Sequence, residues 1–227
     1  MAIIIIDPGH GGSDSGGTGN GLVEKNLTYT IAAKVQSYLL TYYQSADARV
    51  TRWSDTYVSL DQRCQIANNA NADFFLSIHI NAGGGTGYED YIYSGLSSTG
   101  PTAQKRDIFH NAVVPVLQKY GLKDRGKKKA DFYVLRKTNM DAILTEAAFI
   151  DTTFDANLMK NETFLNDLSA AYARGVATIL GLKPVQPPSS PIYDIIVGGF
   201  SEADVDDALN KIQSAFPGWY MYKKKRE

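Results

Sequence analysis

Short apolar runs alternate with longer amphipathic segments along most of this chain of 227 residues. The runs 2–6, 73–78 and 142–145 are short, apolar and typical of buried strands. Between them, apolar residues recur at helical spacing in the segments 24–43 and 162–180. This alternation predicts an α/β fold, with a mostly parallel twisted sheet flanked by helices.

The same patterns predict several further elements. Strands are expected at 48–52, 88–93 and 132–135, and helices at 60–70 and 101–119. The strand 88–93 alternates in polarity, so Glu89 and Asp90 are expected to face solvent. The lysines at 127–129 are expected in a polar loop near the rim of the functional site.

Three of the predicted strands lead into residues that can bind a metal ion or carry a proton. His10 follows the first strand, His79 the second and Glu146 the third, whereas Glu24 lies beyond a glycine-rich loop. Open α/β folds build their sites where the carboxyl ends of parallel strands meet. Two histidines and one carboxylate are a common ligand set for catalytic Zn²⁺, and a further glutamate is the usual base for the attacking water. These residues therefore predict a zinc hydrolase.

The loop 9–17 connects His10 to the rest of this set. It is rich in glycine, but it lacks the lysine and the spacing of a phosphate-binding loop. Its glycines are expected to let the backbone approach the metal and to bring Glu24 back toward His10. Asp7, Asp14 and Asn81 are all candidate partners for the second nitrogen of a ligating imidazole, and the sequence does not choose among them.

Four separated segments also carry a family resemblance. They are Ile-Asp-Pro-Gly-His-Gly-Gly-Ser-Asp at 6–14, Glu-Lys at 24–25, the strand and polar end at 72–82, and Leu-Thr-Glu at 144–146. In this order they resemble the N-acetylmuramoyl-L-alanine amidases of the third amidase family, over roughly residues 2–182. The resemblance implies an α/β fold, one zinc ion, and cleavage of the amide between muramic acid and the first L-alanine of the peptidoglycan stem.

Carried over position by position, the resemblance implies a role for each residue. His10, Glu24 and His79 match the zinc ligands, and Glu146 matches the catalytic acid/base. A zinc peptidase that cuts within the stem peptide could use the same ligands, although the order of the motifs favours the amidase. A non-catalytic peptidoglycan-binding protein is the third alternative, and it is disfavoured because all four chemical residues are present.

The remaining composition limits which classes of partner and which cellular location are expected. A formal net charge of −1 gives no general electrostatic reason to expect nucleic acid or an anionic membrane as a partner. Cys64, the single cysteine, is expected to be a buried structural thiol, and His110 is expected at or near the surface. The N-terminus resembles a strand rather than a signal peptide, so release from the cytoplasm by lysis or by a holin-like route is expected, as in a phage endolysin or a mother-cell lysis enzyme.

The composition changes after residue 183. Segment 184–191 is a proline-rich linker, and 192–227 has the pattern of a small βαβ unit. This unit resembles one half of the sporulation-related (SPOR) repeat that binds peptidoglycan. A unit of this size rarely forms a stable core alone, so two chains are predicted to pair through 192–227 in a homodimer. The alternative is that this unit packs on the preceding domain of its own chain.

Overall fold

The computed structural model describes residues 1–185, which form one compact unit. Its strands are β1 (Ala2–Pro8), β2 (Thr18–Gly19), β3 (Leu22–Val23), β4 (Ala46–Val50), β5 (Phe74–Asn81), β6 (Tyr88–Tyr93), β7 (Asp124–Ala130) and β8 (Asp141–Phe149). Its helices are α1 (Glu24–Tyr42), α2 (Leu60–Asn69), α3 (Pro101–Tyr120), α4 (Tyr133–Lys137), α5 (Thr153–Met159) and α6 (Glu162–Ile179). The predictions of a linker, a βαβ unit and a dimer interface beyond residue 185 lie outside the described residues.

Six of the strands form one sheet in the order β4-β1-β5-β8-β6-β7. The first four are mutually parallel, β6 runs antiparallel to β8, and β7 runs parallel to β6. The prediction of an α/β fold with a mostly parallel sheet is therefore confirmed. The carboxyl ends of β1, β5 and β8 meet at one end of the sheet, and the reversed β6 begins there.

Helices cover the two faces of the sheet unequally. The larger core contains residues of α1, α3 and α6 packed on the central strands, including Ile31, Phe109 and Leu168. The smaller core lies under α2 and α4, and it contains the buried thiol of Cys64, as predicted. Burial raises the pKa of this thiol to about 11, so it stays protonated and unreactive near neutral pH.

Local chemistry fixes where several helices begin and end. Ser59 and Gln62 form a capping box at the start of α2, and Asn161 caps α6 by accepting from two backbone amides. Gly121 ends α3 in the left-handed conformation, with φ of 66°. Within residues 1–185, no helix has both the length and the apolarity needed to cross a bilayer.

Two predicted elements are wrong in type. Segment 132–135 is not a strand: the helix α4 begins at Tyr133, and its residues Val134 and Leu135 are buried in the smaller core. A short apolar run does not separate these alternatives, because both bury adjacent residues. The lysines 127–129 belong to β7, an edge strand rather than a loop, where charged side chains are common because they discourage pairing with another chain.

The predicted exposure of three polar residues is also wrong. Glu89 and Asp90 are 2% and 0% exposed, and His110 is 5% exposed. Each is paired with a residue distant in sequence: Glu89 with Arg125, and Asp90 with His110. A paired charge can be buried, so the alternation in polarity along β6 did not identify a solvent-facing side.

Candidate active site

Three acid–base side chains form a row across neighbouring strands. His79 on β5 pairs in register with Glu146 on β8, and Glu146 pairs with Glu89 on β6. Side chains alternate between the faces of a strand, and these three share the face that carries Phe75 and Leu144. This is the face covered by α2 and α4. Glu146, which the sequence places at a strand end, therefore lies between a histidine and a second carboxylate.

His10, Glu24 and His79 converge beside this row. One ligand atom from each lies within 4.8 Å of the others, and no other such group of histidine, cysteine or acidic side chains occurs in residues 1–185. Nε2 of His10 and Nδ1 of His79 each lie 3.1 Å from Oε1 of Glu24. Two imidazoles and a carboxylate with converging lone pairs fit a Zn²⁺ ion that has three protein ligands.

Glu24 is held by the backbone as well as by the histidines. It is the first residue of α1, where a carboxylate is favoured by the helix dipole. Its Oε2 accepts from the amide of Gly17 at 2.7 Å, and its Oε1 accepts from the amide of Ile80 at 2.9 Å. The carboxylate is therefore oriented by the glycine-rich loop and by the end of β5.

The structure distinguishes among the three candidate partners for the histidines. Asp14 holds His10, because its Oδ2 lies 2.9 Å from Nδ1 of that ring. Asp7 is buried and contacts Thr51, Ser77 and Arg63 instead. The side-chain amide of Asn81 donates to Glu89 at 2.8 Å rather than to a histidine.

Two glycines leave the space that the candidate ligands His79 and Glu24 occupy. A Cβ added to Gly9 would lie 2.3 Å from the ring of His79, and one added to Gly16 would lie 2.5 Å from Oε2 of Glu24. Gly16 also has φ of +64°, which few other residues adopt readily. His10 itself has φ of 61°, a strained value for a residue with a side chain, and such strain is common at functional sites.

Two arginines stabilise this loop, and the sequence analysis did not identify their role. Arg63 from α2 donates to the carbonyls of Pro8 and His10 at 2.7 Å, and it pairs with buried Asp7. Arg52 donates to the carbonyl of Gly9 at 3.2 Å. Both are about 3% exposed. For Arg63, a charged residue within the helical pattern of α2 was the available signal, whereas Arg52 follows β4 and gave none.

Glu24 and His10 shift each other's pKa in opposite directions. Burial would raise the pKa of Glu24, but hydrogen bonds from His10 and His79 hold it far below its usual range. Burial would lower the pKa of His10, but its contacts with Glu24 and Asp14 raise it to about 8. Glu24 is thus an anion at any working pH, and a cation at this position would compete with a proton on His10.

Glu146 has the opposite tendency. Its burial, together with the negative charges of Glu24 and Glu89, raises its pKa to about 7, while the nearby histidines act in the other direction. Its Oε2 is buried and has no hydrogen-bond partner among the described residues. An unpaired carboxyl oxygen with a pKa near neutrality can both accept and return a proton.

His110 belongs to a separate cluster. Its Nδ1 lies 2.7 Å from Oδ2 of Asp90, and its Nε2 lies 3.1 Å from Oδ2 of Asp124. Burial would lower its pKa, but the two carboxylates raise it. Because both ring nitrogens face acceptors, this arrangement stabilises the imidazolium form and leaves no lone pair free for a metal.

The fold and this geometry define an α/β protein with a site that fits one metal ion beside a buried acid. The sequence model of the family described as N-acetylmuramoyl-L-alanine amidase (Amidase_3) matches residues 4–178, and the chain belongs to that family. The resemblance stated from the motifs is thereby confirmed.

Individual relatives agree with this assignment. The chain is 46% identical over 209 residues to the sporulation-specific N-acetylmuramoyl-L-alanine amidase of Bacillus subtilis, with 92% of this chain and 79% of the relative covered. It is 45% identical over 190 residues to the endolysin of Bacillus phage SPP1, with coverage of 83% and 70%. The solved catalytic domain of the amidase CwlV from Bacillus (Paenibacillus) polymyxa has a TM-score of 0.74 at 31% identity, covering 81% of this chain and all of that domain.

Proposed function

We propose that this amidase uses one Zn²⁺, held by His10, Glu24 and His79, to hydrolyse the amide between N-acetylmuramic acid and L-alanine, with Glu146 as acid/base. The observation that carries the proposal is the convergence of the three ligand atoms within 4.8 Å beside Glu146, which is in register with His79. The names of the relatives, a sporulation-specific amidase and an endolysin, support a role in lysis of the cell wall.

The three proposed ligand residues would position the metal ion and balance part of its charge. A bound Zn²⁺ would act as a Lewis acid toward the amide carbonyl and would lower the pKa of water. Glu24 would contribute one negative charge, and Asp14 fixes the His10 ring so that Nε2 faces Oε1 of Glu24. A carboxylate behind a ligating imidazole also raises the basicity of the ligand.

Glu146 carries the proton. In its ionised form it removes a proton from the attacking water, and in its protonated form it donates that proton to the departing alanine nitrogen. A pKa of about 7 permits both steps near neutral pH. The unpartnered Oε2 is the atom that is free to make these contacts.

The direct test is digestion of purified peptidoglycan, with and without a zinc chelator, followed by mass spectrometry. We expect new L-alanine amino termini that disappear with the chelator and return when zinc is added back. Cleavage elsewhere in the stem would assign the protein to the peptidases. Firm binding to peptidoglycan without cleavage would identify a binding protein.

Glu146→Gln separates metal binding from proton transfer. The substitution keeps the size of the side chain but removes its acid–base function, so kcat should fall by about 10²–10⁴-fold. Zinc content should stay equal to that of the unaltered protein, because Glu146 is not among the three converging residues. A loss of zinc equal to that caused by His79→Ala would contradict this division of roles.

Three further expectations stay predictions. The division into a catalytic domain at 1–183, a linker at 184–191 and a SPOR-like unit at 192–227 needs a test on the isolated parts. Pairing of two chains through 192–227 predicts a dimer by light scattering at micromolar concentration. Release by lysis or by a holin-like route is also a prediction.

A further inference from the structure

Two cations contact the carboxylate of Glu89, which is the last residue of the row formed by His79, Glu146 and Glu89. Oε2 of Glu89 accepts from Nε of Arg125 at 2.6 Å and from the ammonium of Lys128. Its Oε1 accepts from the hydroxyl of Tyr91 at 2.7 Å and from Asn81 at 2.8 Å. Glu89 therefore has partners for both oxygens, and the cluster keeps one surplus positive charge.

A bulge in β7 places both cations on the side of the active site. Tyr88 pairs with Asp124 but Asp90 pairs with Lys127, so two residues of β7 lie opposite Glu89. Without this extra residue, Arg125 and Lys128 would point to opposite faces, since side chains alternate along a strand. Gly126 permits the bulge with φ of +81°.

The neighbouring lysines of the same strand have other contacts. Lys127 pairs with Asp107 on α3 at 2.9 Å, and Lys129 donates to the carbonyl of Leu96. On the face of Glu89, the surplus charge of this strand is therefore carried by Arg125 and Lys128. Lys127 provides a natural comparison, with the same charge on the other face.

Both cations keep donors that can reach a ligand. Their side chains are 29% and 35% exposed, respectively. The guanidinium of Arg125 lies 4.8 Å from the centre of the Phe149 ring, and within residues 1–185 its Nη2 makes no hydrogen bond. The ammonium of Lys128 has three donors, of which Glu89 takes one.

The position of the pair relative to Glu146 sets the side of the substrate that it faces. Neighbouring strands are about 4.8 Å apart, so Glu89 on β6 lies about 10 Å from His79 on β5, which is two strands away. Glu146, the donor to the departing nitrogen, lies between them. The charged ends of the pair contact Glu89, so they lie beyond Glu146 from the ligands, at a distance that about three residues of extended peptide would span.

We propose that Arg125 and Lys128 form a subsite that binds a free carboxylate of the stem peptide, about three residues beyond the scissile amide. This inference rests on the proposed function and adds a preference among substrates. A partly exposed guanidinium with an unused donor, beside an ammonium, is a common arrangement for recognising a carboxylate. Glu89 acts as the positioning residue, because it holds both cations in place.

The test compares two synthetic muramoyl peptides with the full-length zinc enzyme. One carries free carboxyl groups beyond its first alanine, and the other carries carboxamides there. The unaltered enzyme should cleave the free-acid peptide with a KM about tenfold lower and a similar kcat, since hydrogen bonds to charged groups are of that strength. Equal KM values for the two peptides would overturn the subsite while leaving the proposed function intact. Failure to release alanine amino termini from either peptide would refute the proposed function itself.

Three variants locate the effect. Lys128→Gln and Arg125→Gln should each raise KM for the free-acid peptide and reduce the preference for it, with kcat nearly unchanged. Lys127→Gln, the matched control on the other face, should leave the preference unchanged. A loss of kcat with a shifted pH profile and unchanged preference would show that the cations act on Glu146 instead, which would overturn the proposal. Each variant leaves Glu89 with three of its four partners, and thermal unfolding checks that the fold is kept.

Discussion

Two clusters in this molecule combine histidine with carboxylates, and they differ in the direction of the lone pairs. In the first, His10 and His79 direct one nitrogen each toward a single oxygen of Glu24. In the second, His110 directs its two nitrogens outward, toward Asp90 and Asp124. Convergent acceptors favour an external cation, whereas an imidazole between two carboxylates favours its own protonation.

The comparison shows that residue type alone does not define a metal site. Both clusters are partly or wholly buried, and in both the carboxylates raise the pKa of a histidine. The difference lies in the backbone: strand ends and a glycine-rich loop bring the first group together, whereas α3 inserts His110 between the starts of β6 and β7. Substitutions in the two clusters should therefore have different consequences.

The largest expected effect is that of His79→Ala on the convergent cluster. Removing one of the three proposed ligands should lower zinc affinity by more than the roughly 10–100-fold that is typical for partners behind a ligand. Zinc content by atomic emission and release of L-alanine amino termini should fall together, while the circular dichroism spectrum is kept. Retention of stoichiometric zinc would exclude His79 as a ligand.

His110→Asn tests the divergent cluster and should leave zinc content unchanged. Breaking a buried ion pair should lower the free energy of unfolding by about 2–3 kcal/mol. The folded-state pKa of His110 is raised, so its stabilisation is complete below the unfolded pKa and declines as the pH rises through the folded pKa.

Both the unaltered protein and the His110→Asn variant are measured with zinc bound. The difference between their free energies of unfolding should be larger near about pH 6 than near about pH 9. Other ionisable groups at the cluster are Tyr88, whose hydroxyl donates to Asp90, and Arg106, which lies 4.0 Å from it. Both are common to the two proteins, so the pairwise comparison reports chiefly on His110. A difference that grows with pH would contradict the imidazolium assignment.

The smallest of these effects is expected from Asp14→Asn, which removes the charge behind His10 but keeps the shape. Zinc affinity should fall by about 10–100-fold, as measured by competition with a chelator of known affinity. Asp131→Asn is the matched control, because that carboxylate is exposed and paired with Arg136 away from the site. An unchanged affinity in Asp14→Asn would show that Asp14 does not orient the ligand.

The sequence predicted the class of fold and the grouping of the four chemical residues. Strand periodicity placed His10, His79 and Glu146 at the ends of strands, and parallel strands bring their carboxyl ends together whatever the detailed packing. In the structure, His79 and Glu146 lie inside β5 and β8, which continue to Asn81 and Phe149, so the predicted strand ends were too early. Glu24 was the harder residue, because it begins a helix and reaches the site through a loop. The family motifs supplied its proposed role as a ligand, which periodicity did not indicate.

What the sequence missed depends on partners that are distant along the chain. Glu89 and Asp90 were expected to be exposed, yet Arg125, Lys128 and His110 make their burial possible. The reversal of β6 and the bulge in β7 also leave little local signal, since direction and register are set by neighbouring strands. Single-residue patterns do not report such pairings.

The edge position of β7 has a consequence for local dynamics. The strand is paired only with β6 among the described residues, whereas β5 and β8 are paired on both sides in the centre of the sheet. Amide exchange at an edge strand needs less free energy of opening than at a central one. We therefore expect β7 to separate transiently from β6 without separating His79 from Glu146. The contacts of Arg125 and Lys128 with a substrate could then fluctuate while the geometry around Glu146 is kept.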